Sequence, residues 1–379
     1  MPWKEVSIVS ERKEFVTLAL SADNANVREL CRRFGVSPPT AYKWLRRYLS
    51  DGDSGLADLS RRPRHSPGRT SPEVERAVLE LRDGHPAWGA RKLRVWLLKH
   101  GHERMPSPST ITAILKRNGR MNGSDGSKHT AWQRFERQAP NEMWQMDFKG
   151  HFPMSQGGRC HPLTVLDDHS RFALGVQACD NELTGTVQQR LTSIFRHYGL
   201  PDRMLMDNGS PWGSRYEHAY TPLTVWLMTL GIDLAHGRPY HPQTQGKDER
   251  FHRTLKAEVL QGRNFTDLVQ CQDAFDRWRP IYNLERPHEA LGMETPASRY
   301  QVSHRPLPEA IQPPEYDLSD LVRRVQDKGA ISFKGRNFKV SNAFRGYPVA
   351  LRPTPIDGVW DIFFYSFAIA QVDLTQTAQ

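Results

Sequence analysis

The sequence predicts a multidomain chain: two all-α helix-turn-helix domains at the N-terminus, a central α/β domain around a mixed sheet, and a small C-terminal β-barrel. Three observations carry that prediction. Capped helical segments separated by short turns fill the first 120 residues, strand-like and helical runs alternate from Asn141 onward, and four to five short β-rich runs crowd the end of the chain. A length of 379 residues suffices for several cores, and 38% hydrophobic with 25% charged residues is ordinary globular composition.

Within residues 10–49 the segment VRELCRRFG (27–35) follows Asn24 and Asn26 and stops at Gly35. VSPPTAYKWLRRYL (36–49) then opens with Ser37 as N-cap and prolines in its first turn, with Tyr42, Leu45 and Leu49 at helical spacing. Helix, glycine turn, helix is the helix-turn-helix pattern, whose second helix would set Pro39, Thr40, Lys43, Arg46 and Arg47 towards a major groove. The pattern recurs in 71–85, 88–101 and 107–119, capped by Ser71 and Ser107, where Ser109, Thr110, Lys116 and Arg117 would face DNA. Between the two units, SRRPRHSPGRTSP (60–72) cannot build a core and reads as an extended linker. Its Arg61, Arg62 and Arg64 suit a narrow minor groove, and a merely solvated linker fits the same residues.

After a second linker at 122–130, EMWQMDFKG (142–150) reads as a strand, and PLTVLDDHSRFALGVQAC (162–179) as a hairpin turning at Asp167–Ser170. A helix (184–198), a strand entering Asp207-Asn208-Gly209, a helix (221–231), a strand (232–237) and helices after Gly246 and over 270–283 complete an α/β pattern. Beyond the Pro-rich 301–316, basic β-rich runs predict the barrel, which would bind DNA or dock a protein. The expected domains are 1–55 and 71–120 (helix-turn-helix, joined by a basic linker, 56–70), 139–300 (α/β, after a linker at 121–138) and 326–375 (barrel, after a Pro-rich linker at 301–325).

The net charge of +10 sits at the ends. Residues 1–140 carry a net +11, residues 141–379 a net −1, yet 321–352 hold eight Lys or Arg against Asp327 alone. Basic ends around a balanced middle suit a polyanionic partner. Cys31, Cys160, Cys179 and Cys271 show no paired spacing, so free buried thiols in a reducing compartment are expected rather than zinc or disulfides. No signal-peptide pattern opens the chain, and the longest apolar stretch, IFFYSFAIA (362–370), is too short to span a bilayer. The expectation is a cytoplasmic protein without a membrane partner.

Asp147 and Asp207 end strands and Glu249 opens a helix, the positions where side chains converge at the edge of an α/β sheet. Three carboxylates without a His/Cys cluster suit Mg²⁺ or Mn²⁺, and carboxylates can hold two such ions about 3.5–4 Å apart around a reacting phosphodiester. Asp248 adjoins Glu249, but neighbours on a helix point about 100° apart, so one of the two faces a site. Asp167 and Asp168 have a structural role in the turn, and His169 and His236 need no catalytic one; His241 would line the site from its loop.

WQMDF, MLMDNGSPW and PYHPQTQGKDERFHRTLK resemble the three signature blocks of the DDE transposase and retroviral-integrase superfamily, and NLERPHEALGMETPASRY (283–300) resembles the segment closing the catalytic domain of bacterial insertion-sequence transposases. With the helix-turn-helix pair the resemblance covers nearly the whole chain. It implies an RNase H-like catalytic domain in which Asp147, Asp207 and Glu249 are catalytic and hold two Mg²⁺ ions, with Mn²⁺ as an expected substitute. The motif register favours Glu249 over Asp248. One departure is the 41 residues between Asp207 and Glu249, longer than is usual in integrases and assigned to an insertion around 213–224. Helical spacing sets Glu249, His252, Arg253 and Lys256 on one face, the last three towards phosphates, with Phe251, Leu255 and Val259 on a buried face.

The resemblance implies a DNA transposase of a bacterial insertion sequence, nucleoid-associated and at least a homodimer on DNA. It would bind terminal inverted repeats, cleave the element ends and join the 3′-OH ends to target DNA, without a nucleotide cofactor. The alternative is an inactive, transposase-derived, sequence-specific DNA-binding protein. A retroelement integrase would usually carry an N-terminal Cys/His zinc module, which has no counterpart in this sequence.

Overall fold

Local capping chemistry sets the helix boundaries of the first hundred residues. The computed structural model describes residues 7–21, 26–59, 70–121, 136–213, 220–237 and 246–375, and the chain divides into two compact units, Met1–Arg69 and Thr70–Gln379. In the first, α1 (Ile8–Leu20), α2 (Val27–Phe34) and α3 (Pro38–Asp51) are capped by Ser7, Asn26 and Ser37. Gly35, at φ 63°, makes the left-handed turn between α2 and α3 that other residues adopt only under strain. The core is Phe15, Val16, Cys31, Ala41, Trp44, Leu45 and Leu56. The buried stripe of α3 is thus Ala41, Trp44 and Leu45; Tyr42 and Leu49, expected on it from spacing, are exposed.

The second unit begins with another trihelical bundle, α4 (Pro72–Gly84), α5 (Ala90–Lys99) and α6 (Pro108–Arg117), in which Ser71 and Ser107 cap α4 and α6. Val78, Leu81, Trp88, Leu93, Leu97, Ile111, Ile114 and Leu115 fill it. Lys99 pairs with Glu294 at 2.7 Å, and Ile281 packs against the bundle's core.

The central layer is a mixed sheet in the order β4-β3-β1-β5-β6, built from β1 (Trp144–Phe148), β3 (Arg159–Asp167), β4 (Ala173–Cys179), β5 (Arg203–Met206) and β6 (Asp233–His236); the short β2 (Phe152–Pro153) pairs with the start of β3. The hairpin side is antiparallel and β1-β5-β6 is parallel. Alternation along the strands sends Trp144, Met146, Met204 and Met206 to one face, under α7 (Thr184–Tyr198) and α8 (Pro222–Thr229). Leu166, Ala173, Val176 and Ala178 face the other side, against α9 (Gly246–Leu255) and α10 (Leu268–Pro280).

Both of these last helices end in π-helical turns, Lys256–Leu260 and Ile281–Glu285. The second follows Pro280, which lacks an N–H and crowds the preceding turn. One carboxylate joins the two turns: Glu258 accepts from Arg286 Nε and Trp278 Nε1, each at 2.8 Å. Side chains from α10 and the turn after it also close the open edge of β4. Asn283 bonds both the N–H and the carbonyl of Ala173, Arg279 the carbonyl of Leu174, and Gln272 the Val176 carbonyl and Ala178 N–H. An edge satisfied this way does not recruit another strand.

The C-terminal region corrects the expectation of a barrel. β7 (Leu321–Arg324), β10 (Pro348–Pro353), β11 (Val359–Phe364) and β12 (Phe367–Asp373) form a four-stranded sheet in the order β12-β11-β10-β7, and β8 (Ala330–Phe333) pairs only with β9 (Arg336–Lys339). Among the described residues no sheet closes on itself. The physical reason is that the apolar face, with Val349, Leu351, Ile362 and Phe364, is covered by Ile331 and Phe333 of the hairpin and by Val225 and Met228 of α8. A face already buried against another layer gains nothing by closure.

The Glu258–Arg286 pair, each side chain 8% exposed, generates a prediction. Glu258→Ala strands a buried guanidinium and should lower stability by about 3–5 kcal/mol, read as a shift of the urea midpoint. Asp53→Ala, which breaks an exposed pair with Lys13, should leave it nearly unchanged; equal shifts would remove Glu258 from its structural role.

Candidate active site

Pairing of β1 with β5 places two acids side by side. The strands run parallel, with Trp144 level with Met204 and Gln145 with Leu205. The same register carried past the last paired residues sets Asp147 level with Asp207. Both alternate with residues buried under α7 and α8, so both belong to the sheet face that α9 crosses. Burial first, and then the charge of Asp207, push the Asp147 carboxyl up to about 7. Asp207 Oδ1 accepts from the Gly209 N–H at 2.9 Å. A Cβ on Gly209 would lie 3.2 Å from the Asp207 carboxylate, which explains a glycine there.

α9 enters through Lys247, whose ammonium bonds Asp168 Oδ1 at 2.5 Å; Gln145 Nε2 donates to the same oxygen at 2.6 Å. Asp168 Oδ2 accepts from the Arg137 N–H, and Asp167 accepts from Asn141 N, Ser170 N and Ser170 Oγ. The two turn acids therefore have the structural role expected of them.

One turn of α9 presents Asp248 and His252 to the sheet. Asp248 is 1% exposed, and its Oδ1 has no hydrogen-bond partner. Burial, followed by the charge of Asp147, holds its carboxyl far above the usual carboxylate range. His252 Nε2 lies 2.8 Å from Thr164 Oγ1 and its Nδ1 3.9 Å from Asp147 Oδ2; burial pushes its pKa down to about 4, so the ring is neutral. Phe251, Leu255 and Val259 are buried as their spacing predicts. Glu249, Arg253 and Lys256 share the exposed side.

The structure thus sets Asp147 level with Asp207, brings Asp248 and His252 each near Asp147, and leaves Glu249 exposed in the first turn of α9. His252 corrects the expectation of a phosphate-contacting face: it is 8% exposed and bonded to Thr164. The reason is visible in the spacing. Asp248 and His252 sit three residues before and one after the buried Phe251, so the helix must bury them to bury its apolar stripe. Sequence reading also passed over Thr164, opposite Asp147 across the β1–β3 pair. Among the described residues no three His, Cys, Asp or Glu converge as a metal-binding group.

The other expected DNA contacts fall into three sets. Lys43, Arg46, Ser109 and Lys116 are exposed on α3 and α6. The remaining four on those helices are engaged: Thr40 and Thr110 hydroxyls bond the capping Ser37 and Ser107, Arg47 donates to the Ala57 carbonyl, and Arg117 is bidentate to Glu75. Arg61, Arg62, Arg64 and His241 lie outside the described residues, as does half of the 213–224 insertion, residues 214–219. The four cysteines are free and buried, and among the described residues no helix is long and apolar enough to cross a membrane.

Residues 137–242 and 230–296 each match the integrase core domain, and 320–379 match the C-terminal domain of IS481 family transposases. Residues 11–64 match a helix-turn-helix domain and 40–115 a homeodomain-like domain. An uncharacterized 31.7 kDa protein of insertion element IS407 from Burkholderia multivorans is 31% identical over 173 residues, 45% of this chain and 59% of that protein. A 39.2 kDa protein of IS476 from Xanthomonas euvesicatoria is 28% identical over 64% of this chain and 69% of its own length. A putative transposase of IS5376 from Geobacillus stearothermophilus is 26% identical, covering 62% and 59% respectively. The chain therefore spans about three fifths of two of these relatives and somewhat more of the third. The matches run in order from helix-turn-helix through integrase core to C-terminal domain, so the chain is similar along its length to bacterial insertion-sequence transposases of the integrase superfamily.

Proposed function

We propose that the chain is an active DNA transposase. It binds the terminal inverted repeats of its element as a homodimer or higher oligomer, cleaves the element ends and joins the freed 3′-OH ends to target DNA. The observation that carries this is the level pair Asp147 and Asp207 at the ends of neighbouring parallel strands, with the unpartnered oxygen of Asp248 beside it. Like charges this close, with a buried acceptor lacking a donor, are what a divalent cation would relieve, and an all-oxygen set suits Mg²⁺ or Mn²⁺. Asp147, Asp207 and Glu249 would hold up to two such ions, which supply Lewis acidity to the phosphodiester exchange. Joining forms one phosphodiester as it breaks another, so no nucleotide cofactor is needed.

The chain's own residues position the DNA. Exposed Arg253 and Lys256 lie four and seven residues after Glu249, a spacing that keeps cations beside the carboxylate to contact phosphates flanking the cut. Lys43, Arg46, Ser109 and Lys116 offer groove and backbone contacts from the two helix-turn-helix units. The motif register supports Glu249 as the third carboxylate, whereas packing turns Asp248 inward. The exposure of Glu249 also favours the second reading, a transposase-derived protein that binds DNA without cutting it.

A strand-transfer assay with Mg²⁺, the element's own ends and a plasmid target decides between the two. Asp147→Asn, Asp207→Asn and Glu249→Gln should each reduce joined product more than about 10³-fold while DNA binding persists. Loss in Asp248→Asn but not Glu249→Gln would reassign the third carboxylate, and binding without joining by the wild type, under Mg²⁺ or Mn²⁺, would support the inactive reading.

The elevated Asp147 carboxyl gives a second test. Folded, it keeps its proton to about pH 7; unfolded, it releases it near 3.8. The folded state therefore binds more protons across that window, and the group's contribution to stability falls as pH rises from about 4 to about 7, by at most about 1.4 kcal/mol per unit. His252, lowered to about 4, acts in the opposite sense, so the difference between proteins is the readout. In EDTA, the stability of Asp147→Asn relative to wild type should grow from pH 4 to 7 and then level off. A flat difference in urea melts would mean that Asp147 is an ordinary carboxylate.

A further inference from the structure

We propose that the α4–α6 bundle and the catalytic domain move as one rigid body, and that the seam between them fixes the distance from the bound repeat to the bond that is cut. Lys92, Lys99 and Ile281 are its positioning residues. The inference rests on the transposase reading above and adds to it what sets the place of the cut.

The seam is made by side chains from both sides. Ile281, which opens the π turn after α10, joins Trp96 and Leu98 of α5 in packing against the bundle's core. Lys99, at the end of α5, pairs with Glu294 at 2.7 Å. Lys92 lies seven residues earlier, two turns back along the same side of α5. It sits among the charges of Arg286, Glu258, Glu289 and Arg250, all from the catalytic domain, and burial followed by the charge of Arg286 lowers its ammonium to about 8. A lysine enclosed in this way is turned towards protein rather than towards a phosphate backbone. The exposed Lys99–Glu294 pair contributes little by itself; the apolar packing and the enclosed lysine are what resist sliding.

This docking holds α9 on two flanks. Phe251, Leu255 and Val259 bury against the sheet, while Arg250 and Glu258 on an adjoining flank act on Lys92. The flank with Glu249, Arg253 and Lys256 stays exposed. On the bundle, exposed Ser109, Ala113 and Lys116 recur at i, i+4 and i+7 along α6, the second helix of its helix-turn-helix. Docking through α5 therefore leaves the groove-reading face of α6 free. The face that reads sequence and the helix that carries Asp248 and Glu249 then keep one spacing. Phosphates on one strand of B-form DNA follow each other at about 3.4 Å. A seam that slipped by that much would move the cut by one nucleotide, and a packed seam does not slip.

Two measurements test this, the first without DNA or metal. The four native cysteines are buried, so nitroxide labels attach selectively at Glu103→Cys in the bundle and Arg196→Cys on α7, both exposed positions. Double electron–electron resonance on the full chain should give one narrow distance. Lys92→Glu with Lys99→Glu, which reverses both lysines of the seam, should broaden it. In a cleavage assay on the element's end with Mg²⁺, the wild type should cut one bond and the double variant several neighbouring bonds. The position is read per molecule cut, so a change in DNA affinity does not enter. If the double variant does not fold, Ile281→Ser takes its place. A broad distance in the wild type would overturn the docking. A broadened distance with cutting still confined to the wild-type bond, at whatever yield, would overturn the positioning role and leave the transposase reading standing. A distance that stays narrow in the variants would remove these residues from the seam. A wild type with a narrow distance that binds its repeat but cuts nothing would overturn the transposase reading, and the positioning role with it.

Discussion

The register of β1 against β5 is the constraint on which the rest of the structure depends. Strands in a sheet lie about 4.8 Å apart, so two acids level with one another on neighbouring parallel strands cannot avoid each other. Here they are Asp147 and Asp207, and the first is also largely buried. Water would separate such charges at little cost; a sheet edge roofed by a helix does not. The fold tolerates the pair because the backbone around it is fully committed. Asp207 bonds Gly209, and Thr164 and Phe148 bond about Asp147 through hydroxyl and backbone groups. The edge is therefore strained electrostatically rather than geometrically, and the Asp147 carboxyl responds by holding its proton up to about pH 7.

Holding α9 over this edge requires its own supports. Lys247 ties the first turn to Asp168, and Phe251, Leu255 and Val259 bury into the sheet. Beyond Leu255 the helix widens into a π turn, and the same widening follows Pro280 at the end of α10. Glu258, Arg286 and Trp278 bind these two irregular turns into one buried polar group. Asn283 and Gln272 meanwhile satisfy the outer edge of β4. The segment after α10 thus serves two purposes, closing the sheet on one side and anchoring α9 on the other.

Much of this was legible in the sequence, and the reasons differ from element to element. Ser37, Ser71 and Ser107 announce helix starts because capping is local chemistry: a hydroxyl, the N–H three residues on, and a proline between. Asp147 and Asp207 were legible because strand ends are marked by the change from apolar residues to Asp-Phe-Lys-Gly and Asp-Asn-Gly. The barrel was not, because closure depends on what covers the apolar face, and the cover is α8, about a hundred residues earlier in the chain. Tyr42 and Leu49 misled for a similar reason: helical spacing gives several possible stripes, and only the neighbours choose among them.

The inward face of α9 is the instructive intermediate. Its signal was present, since Asp248, Phe251, Leu255 and Val259 recur at i, i+3, i+7 and i+11, an apolar stripe with an acid at its head. An acid at the head of a buried stripe is either an error that the fold tolerates or a group kept there for another charge to meet. Structural explanations that apply elsewhere in the molecule fail for it. Asp167 and Asp168 are buried too, but every one of their carboxylate oxygens accepts from a turn N–H, a hydroxyl, an amide or Lys247. Asp248 Oδ1 has no such donor. The same turn of helix brings His252, bonded to Thr164 Oγ1 with its Nδ1 3.9 Å from Asp147 Oδ2. Burial and the charge of Asp147 hold the Asp248 carboxyl far above the usual carboxylate range. A divalent cation bound at this edge, as proposed above, would relieve both that acid and the repulsion between Asp147 and Asp207.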